Sequence, residues 1–184
     1  FGKASPSGRL PVSFTHRSGQ QPYSYDRKIT GRPADDSLAS QEFVARYRET
    51  TNSALYPFGH GLTYGTATYG AVTPAEAMLA WDGEVAFSVA VTNTGDRAVD
   101  ETVQLYIRDR VASLTQPGRR LRDIARVALG PGETRTVTFC LRRSQLEFVG
   151  ADSLPTVEPG AFDVWLASSA QTGQPATLVL STPA

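Results

Sequence analysis

The feature that most constrains the fold is a series of short runs, from about residue 66 onward, in which apolar and polar residues alternate. Val85, Phe87 and Val89, for example, are separated by small or polar residues. Because successive side chains of a β-strand point to opposite faces of a sheet, each run predicts a strand with one buried face. The predicted strands, the last of them at a sheet edge, cover residues 85–91, 99–107, 126–129, 134–141, 160–166 and 176–180. About seven short strands at this spacing predict an antiparallel β-sandwich of the immunoglobulin or fibronectin kind.

The first 65 residues lack this regularity. Leu10, Val12 and Phe14 alternate briefly and predict one strand. Residues 35–48 fit part of a helix face or a strand, and we favour an extended segment. The remainder is rich in turn-forming residues. A region of this kind cannot build its own core, so we expect it to wrap around another body.

The charge balance and the cysteine content exclude several functions. The chain has 18 basic and 18 acidic residues, which argues against nucleic-acid and membrane-surface binding because both usually need a basic excess. No apolar run is long enough to span a bilayer. Cys140 is the only cysteine, so an internal disulfide is excluded and we expect a small, buried and unreactive thiol on the sheet face opposite Phe139 and Leu141. The compartment stays open between periplasmic, secreted and cytoplasmic.

Residues 56–64, Tyr-Pro-Phe-Gly-His-Gly-Leu-Thr-Tyr, form what we call the aromatic loop. Gly59 and Gly61 allow backbone angles that other residues avoid. The large apolar side chains should be anchored in a groove between two bodies rather than stack on a sugar. The predicted packing residues are Tyr56, Phe58, Leu62, Tyr64 and, from a strand position out of phase with its apolar neighbours, Trp165. Weaker candidates for substrate contact are His60 and Tyr56.

The aromatic loop is one of several segments that occur in the order found in a known family. The others are residues 1–14 (with Pro-Ser-Gly-Arg), 28–33 (Lys-Ile-Thr-Gly-Arg-Pro), 103–109 (Val-Gln-Leu-Tyr-Ile-Arg-Asp), 111–117 and 129–135. Together they resemble the C-terminal part of glycoside hydrolase family 3 enzymes, the β-glucosidase family. Residues 119–124 and 146–150 depart from the common family pattern, so we expect different contacts around the late strands.

The resemblance implies a mainly β chain in two parts. Residues 1–65 would be the C-terminal segment of the second catalytic domain, an α/β sandwich, and residues 66–184 a fibronectin type III-like domain. It also implies a parent enzyme that hydrolyses terminal β-linked sugars with retention of configuration and without a cofactor. Both catalytic carboxylates would lie upstream, so we expect no catalytic residue in this chain, and the upstream catalytic domains as its partners.

The remaining polar clusters have simpler interpretations. Asp35-Asp36 and Asp100-Glu101 are expected to be solvated, and adjacent strand residues such as the latter pair should not converge. His16 and His60 lack the spacing of a metal site, and we expect none. The arginines at 119, 120 and 122 predict a solvated basic loop.

A second hypothesis is a free-standing fibronectin-like module that binds a carbohydrate or a protein, using Trp81, Trp165 or the sandwich loops. Residues 1–65 distinguish the two hypotheses, because a free module has no need of a stretch that cannot fold alone.

Overall fold

The computed structural model describes residues 3–29, 31–33 and 43–183. Within these ranges it contains eleven β-strands and two short 3-10 helices, Ser18–Gln20 and Arg143–Leu146. The strands are β1 Ala67–Tyr69, β2 Thr73–Pro74, β3 Met78–Leu79, β4 Glu84–Asn93, β5 Val99–Asp109, β6 Arg120–Leu129, β7 Thr134–Arg142, β8 Phe148–Val149, β9 Pro155–Thr156, β10 Gly160–Ala167 and β11 Ala176–Leu180. None of the described helices has the length and apolar character needed to cross a membrane.

The long strands form two sheets that pack face to face. In the first sheet, β4 pairs with β7 along one side and with the short β1 and β2 along the other. The second sheet has the order β3-β11-β10-β5-β6 and is antiparallel except for the β3–β11 pair. β8 and β9 form a separate small hairpin. The predicted antiparallel, fibronectin-like β-sandwich is therefore confirmed.

The sheet edge differs from the prediction. β11 was expected at the edge, but β3 pairs outside it, and the amide of Val179 donates to the carbonyl of Ala77. A strand of two residues is too short to show an alternating pattern, so β3 could not be predicted from the sequence.

The core lies between the sheets and uses the predicted alternate positions. Phe87 on β4 is opposite Phe139 on β7, and both are buried with Phe162 of β10 in one apolar cluster. Burial of each such side chain contributes about 1.5–3 kcal/mol. Cys140 lies on the opposite face from Phe139, as expected, but it is exposed. The expectation of a buried thiol was wrong because the outer face of this sheet is open at Cys140.

Residues 1–65, here called the tail segment, contain no strand in the ranges that are described. The predicted strand at residues 10–14 is wrong: only Phe14 forms a bridge, to Tyr56. In the predicted segment 35–48, residues 35–42 lie outside the described residues, and Ala45 bridges Pro33. The tail segment contributes Tyr25 and Phe58 to a second apolar cluster, on the face of the β5–β10 sheet that points away from the main core.

Candidate functional site

The aromatic loop runs antiparallel to residues 10–14 without forming a regular ladder. Phe14 donates its amide to the carbonyl of Tyr56 at 2.8 Å, and Gly59 donates to that of Leu10 at 2.8 Å. Between these points Phe58 leaves the ladder, since its amide donates to the side-chain hydroxyl of Ser13 at 3.0 Å. Its carbonyl accepts from Ala170 of the sandwich at 2.9 Å. The backbone of Phe58 is thus shared between both parts of the chain, which explains why no strand forms.

Gly59 closes the loop tightly against the sandwich. Its φ is +80°, a region that disfavours residues with a Cβ. A Cβ there would lie 2.1 Å from Oε1 of Gln104 on β5. The buried Gln104 amide donates to the carbonyl of Gly59 at 3.1 Å and to that of Ser168 at 2.6 Å. Only glycine satisfies both the backbone angle and the space at this contact.

Gly61 is required for a different reason from the one predicted. It has no positive φ among the described residues, but a Cβ would lie 2.4 Å from the guanidinium of Arg9 and 2.5 Å from the carbonyl of Gly8. Space, rather than backbone angle, therefore excludes other residues at this position.

An outer aromatic cluster joins the loop to the sandwich. Phe58 stacks on Tyr25 with ring centroids 4.0 Å apart, and Tyr25 meets Tyr106 edge-on at 6.5 Å. Trp165 lies in the same cluster, on the second face of its sheet. Burial raises the pKa of the Tyr106 hydroxyl, so it stays neutral. Two of the predicted packing residues, Phe58 and Trp165, thus lie in one apolar cluster within the chain.

The other predicted packing residues of the loop are largely open to solvent. Tyr56 is 46% exposed and Leu62 is 73% exposed. Tyr56 contacts Phe14 edge-on at 6.5 Å and the His60 ring at 5.1 Å. Tyr64 lies apart from them, with Arg97 5.9 Å from its ring. We call Val12, Phe14, Leu55 and Tyr56 the exposed apolar face; all four are exposed.

A buried ion pair that the sequence reasoning missed connects the two parts of the chain. Arg9 and Glu101 approach to 2.7 Å, with side chains only 11% and 4% exposed. The Tyr69 hydroxyl donates to the other oxygen of Glu101 at 2.8 Å. Burial, and then the charge of Glu101, raise the pKa of Tyr69. The expectation of a solvated Glu101 was therefore wrong, whereas the exposed Asp100 and buried Glu101 do point apart as predicted.

The arginines at 119–122 do not form a solvated loop. Arg120 and Arg122 lie within β6, and Arg119 places its guanidinium 4.3 Å from the Trp165 ring centroid. Arg119 also donates to the carbonyl of Thr172 at 2.7 Å. Burial lowers the pKa of Arg119 and of Arg122 to about 10 each. The cluster is held by a cation–π contact and by carbonyl groups, and no sequence signal distinguishes this from a surface cluster.

Asp109 has a side-chain carboxyl group with a raised pKa. Asp109, at the end of β5, has an oxygen that is buried without a hydrogen-bond partner. Burial raises its pKa to about 6; the amide of Val111 opposes this shift and the charge of Glu158 adds to it. Glu158 itself accepts from the Ser113 amide at 2.8 Å. Within the described ranges, no three His, Cys, Asp or Glu side chains converge as a metal site would require.

The comparisons with known proteins agree with this architecture. The family model described as "Fibronectin type III-like domain" matches residues 101–170. The periplasmic β-glucosidase of Salmonella typhimurium is 39% identical over 90% of the chain, and a β-xylosidase of Formosa agariphila is 36% identical over 98% of it. A solved β-glucosidase from Erythrobacter marinus superimposes on 98% of the chain with a TM-score of 0.86 and 37% identity. The chain spans only 22%, 24% and 22% of these three proteins.

Proposed function

The chain belongs to glycoside hydrolase family 3, whose C-terminal part it matches, and from that premise we propose that it is the structural C-terminal portion of a retaining β-glycosidase. Its role is to complete the second catalytic domain with residues 1–65 and to brace that domain with the sandwich of residues 66–184. The whole enzyme would release terminal β-linked sugars, since the relatives are β-glucosidases and a β-xylosidase.

The distribution of exposed aromatic residues is the observation that carries this proposal. Every exposed aromatic side chain among the described residues lies in the tail segment: Phe14, Phe43, Tyr47, Tyr56 and Tyr64. The sandwich buries or half-buries all of its described aromatic side chains. Exposed apolar patches mark interaction sites. The exposed apolar face therefore fits a second body that packs on the tail segment, as the remainder of an α/β domain would.

The catalytic groups are assigned to that second body. A retaining glycosidase needs a carboxylate nucleophile and a carboxylic acid about 5 Å apart. The buried carboxylate Glu101 is occupied by Arg9 and Tyr69, and Asp163 is bound by Arg110. Both oxygens of Glu101 and Oδ1 of Asp163 are thus engaged by other side chains, and we infer that the catalytic pair lies outside this chain.

The free-standing binding module is less well supported. Its two tryptophans would have to present open rings to a ligand. Arg119 covers the Trp165 ring, and the Arg143 guanidinium lies 4.7 Å from the Trp81 ring centroid. Both rings are thus partly covered by the chain's own cations.

The size of the native polypeptide tests the proposal. An antibody raised against the sandwich would be used on a denaturing blot of the source organism. Since the chain spans 22–24% of the relatives, we expect a band four to five times heavier than 19.8 kDa. A band at 19.8 kDa would contradict the proposal and favour a separate module.

A further inference from the structure

A pocket of about 450 Å³ lies between the tail segment and the sandwich. On one side, Lys28 bridges Pro117, and the amide of Gly118 donates to the carbonyl of Arg27. On the other side, Arg108 at the end of β5 lines the pocket together with Ala170 and Gln171. Its volume falls in the range of small-molecule sites.

Four cations line this pocket, and no carboxylate lines it among the described residues. The cations are Arg27, Lys28, Arg108 and Arg119. None of them takes part in an ion pair of the described residues. The nearest acidic position in register, Asp163 opposite Arg108, is bound by Arg110 at 2.5 Å.

The cations of the pocket differ in how firmly they are held. Arg119 is fixed by the Trp165 ring and the Thr172 carbonyl. Arg27 stacks 4.4 Å from the Tyr23 ring centroid and donates to the Asn52 carbonyl at 2.8 Å. The side chains of Lys28 and Arg108 form no hydrogen bond within the described ranges. Two of the cations thus form a fixed wall, and two are free to engage a ligand.

We propose that this pocket, here called the basic pocket, binds a small anion through a carboxylate or phosphate group. Like charges around one cavity repel each other, and burial of Arg119 without a counter-charge is unfavourable. An oxyanion would relieve both effects, and guanidinium groups hold carboxylate and phosphate oxygens by paired, charge-assisted hydrogen bonds. The phenol and amide groups of Tyr23, Asn52 and Gln171 complete a polar lining.

The test is calorimetric titration of the full-length polypeptide that contains this chain, with inorganic phosphate and with citrate at constant ionic strength. The variant Lys28→Gln/Arg108→Gln removes the two uncommitted cations. Arg142→Gln is the matched control, because it removes a cation from the outer face of the other sheet. We expect saturable binding that weakens at least tenfold in the double variant and less than twofold in the control.

The unfolding midpoint without ligand serves as the folding control. Relief of charge repulsion should leave the Lys28→Gln/Arg108→Gln midpoint equal to or above that of the parent. Absence of saturable binding of phosphate and of citrate by the parent would overturn the proposal, and so would equal weakening by Arg142→Gln.

Discussion

Replacement of Arg9 by methionine is the perturbation whose effect follows most directly from the structure. The change keeps much of the apolar part of the side chain but leaves the carboxylate of Glu101 buried, with the Tyr69 hydroxyl as its only side-chain partner among the described residues. Breaking a buried ion pair by removing one partner costs about 3–5 kcal/mol. For a chain of this size each kcal/mol corresponds to about 2–4 °C in the unfolding midpoint, so we expect a fall of roughly 6–20 °C.

The effect is measured by thermal and urea unfolding of the 184-residue chain, in a double-mutant cycle with Glu101→Leu. The double variant carries no buried charge at this contact, so it should recover a large part of the loss. Arg142→Met is the matched control, since Arg142 and Glu84 form a pair whose side chains are 67% and 51% exposed. Exposed pairs contribute about 0–1 kcal/mol.

Two outcomes would refute this reasoning. The first is a loss below about 1 kcal/mol for Arg9→Met, which would mean that Glu101 reaches water or another partner in solution. The second is additive losses in the double variant, which would show that Arg9 and Glu101 are not energetically coupled.

Three further predictions concern the loop, the exposed face and pH. Gly59→Ala should cost more free energy of unfolding than Gly132→Ala, because both have positive φ but only Gly59 would place a Cβ against Gln104; equal losses in urea unfolding would argue against that contact. Phe14→Ser should weaken the binding of this chain to the separately produced remainder of the enzyme at least tenfold. The variant's own unfolding midpoint should stay within about 4 °C of the parent's, which corresponds to about 1–2 kcal/mol. Unchanged binding would show that Phe14 does not contribute to the interface. Asp109 has a folded pKa of about 6, above its unfolded value near 4, so its contribution to stability is complete below about pH 4 and is lost as pH rises to about 6. Asp109→Asn should therefore gain stability relative to the parent between pH 4 and pH 7, and a constant difference across that range would contradict the shift.

The sandwich could be predicted because its determinants are local. The alternation through Val85, Phe87 and Val89 indicates which face of β4 is buried. Few structures other than a β-strand produce an apolar pattern with a period of two. The same rule placed Trp165 on the second face of its sheet. Where alternation was brief, at residues 10–14, the rule was wrong because Ser13 and Ala170 take the backbone partners that a ladder would need.

The contacts between the two parts of the chain could not be predicted because they join residues far apart in sequence. Nothing near Arg9 or Glu101 in the sequence indicates that they meet, and a charged residue is solvated more often than buried. Arg119 was misassigned for the same reason, since its partner Trp165 lies on another strand. Gly59 could be predicted because glycine itself signals an unusual backbone angle. Its neighbour Gln104, whose side chain leaves no space for a Cβ at position 59, could not be predicted.

The central claim, that this chain braces a catalytic body without carrying the chemistry, is tested most directly by an activity assay with separated parts. The 184-residue chain and the upstream remainder would be produced separately and assayed with a chromogenic β-D-glucoside and β-D-xyloside, alone and mixed. We expect no turnover by the chain alone, little by the remainder alone, and recovery on mixing. Turnover by the purified chain alone would contradict the account, and so would full activity of the remainder without it.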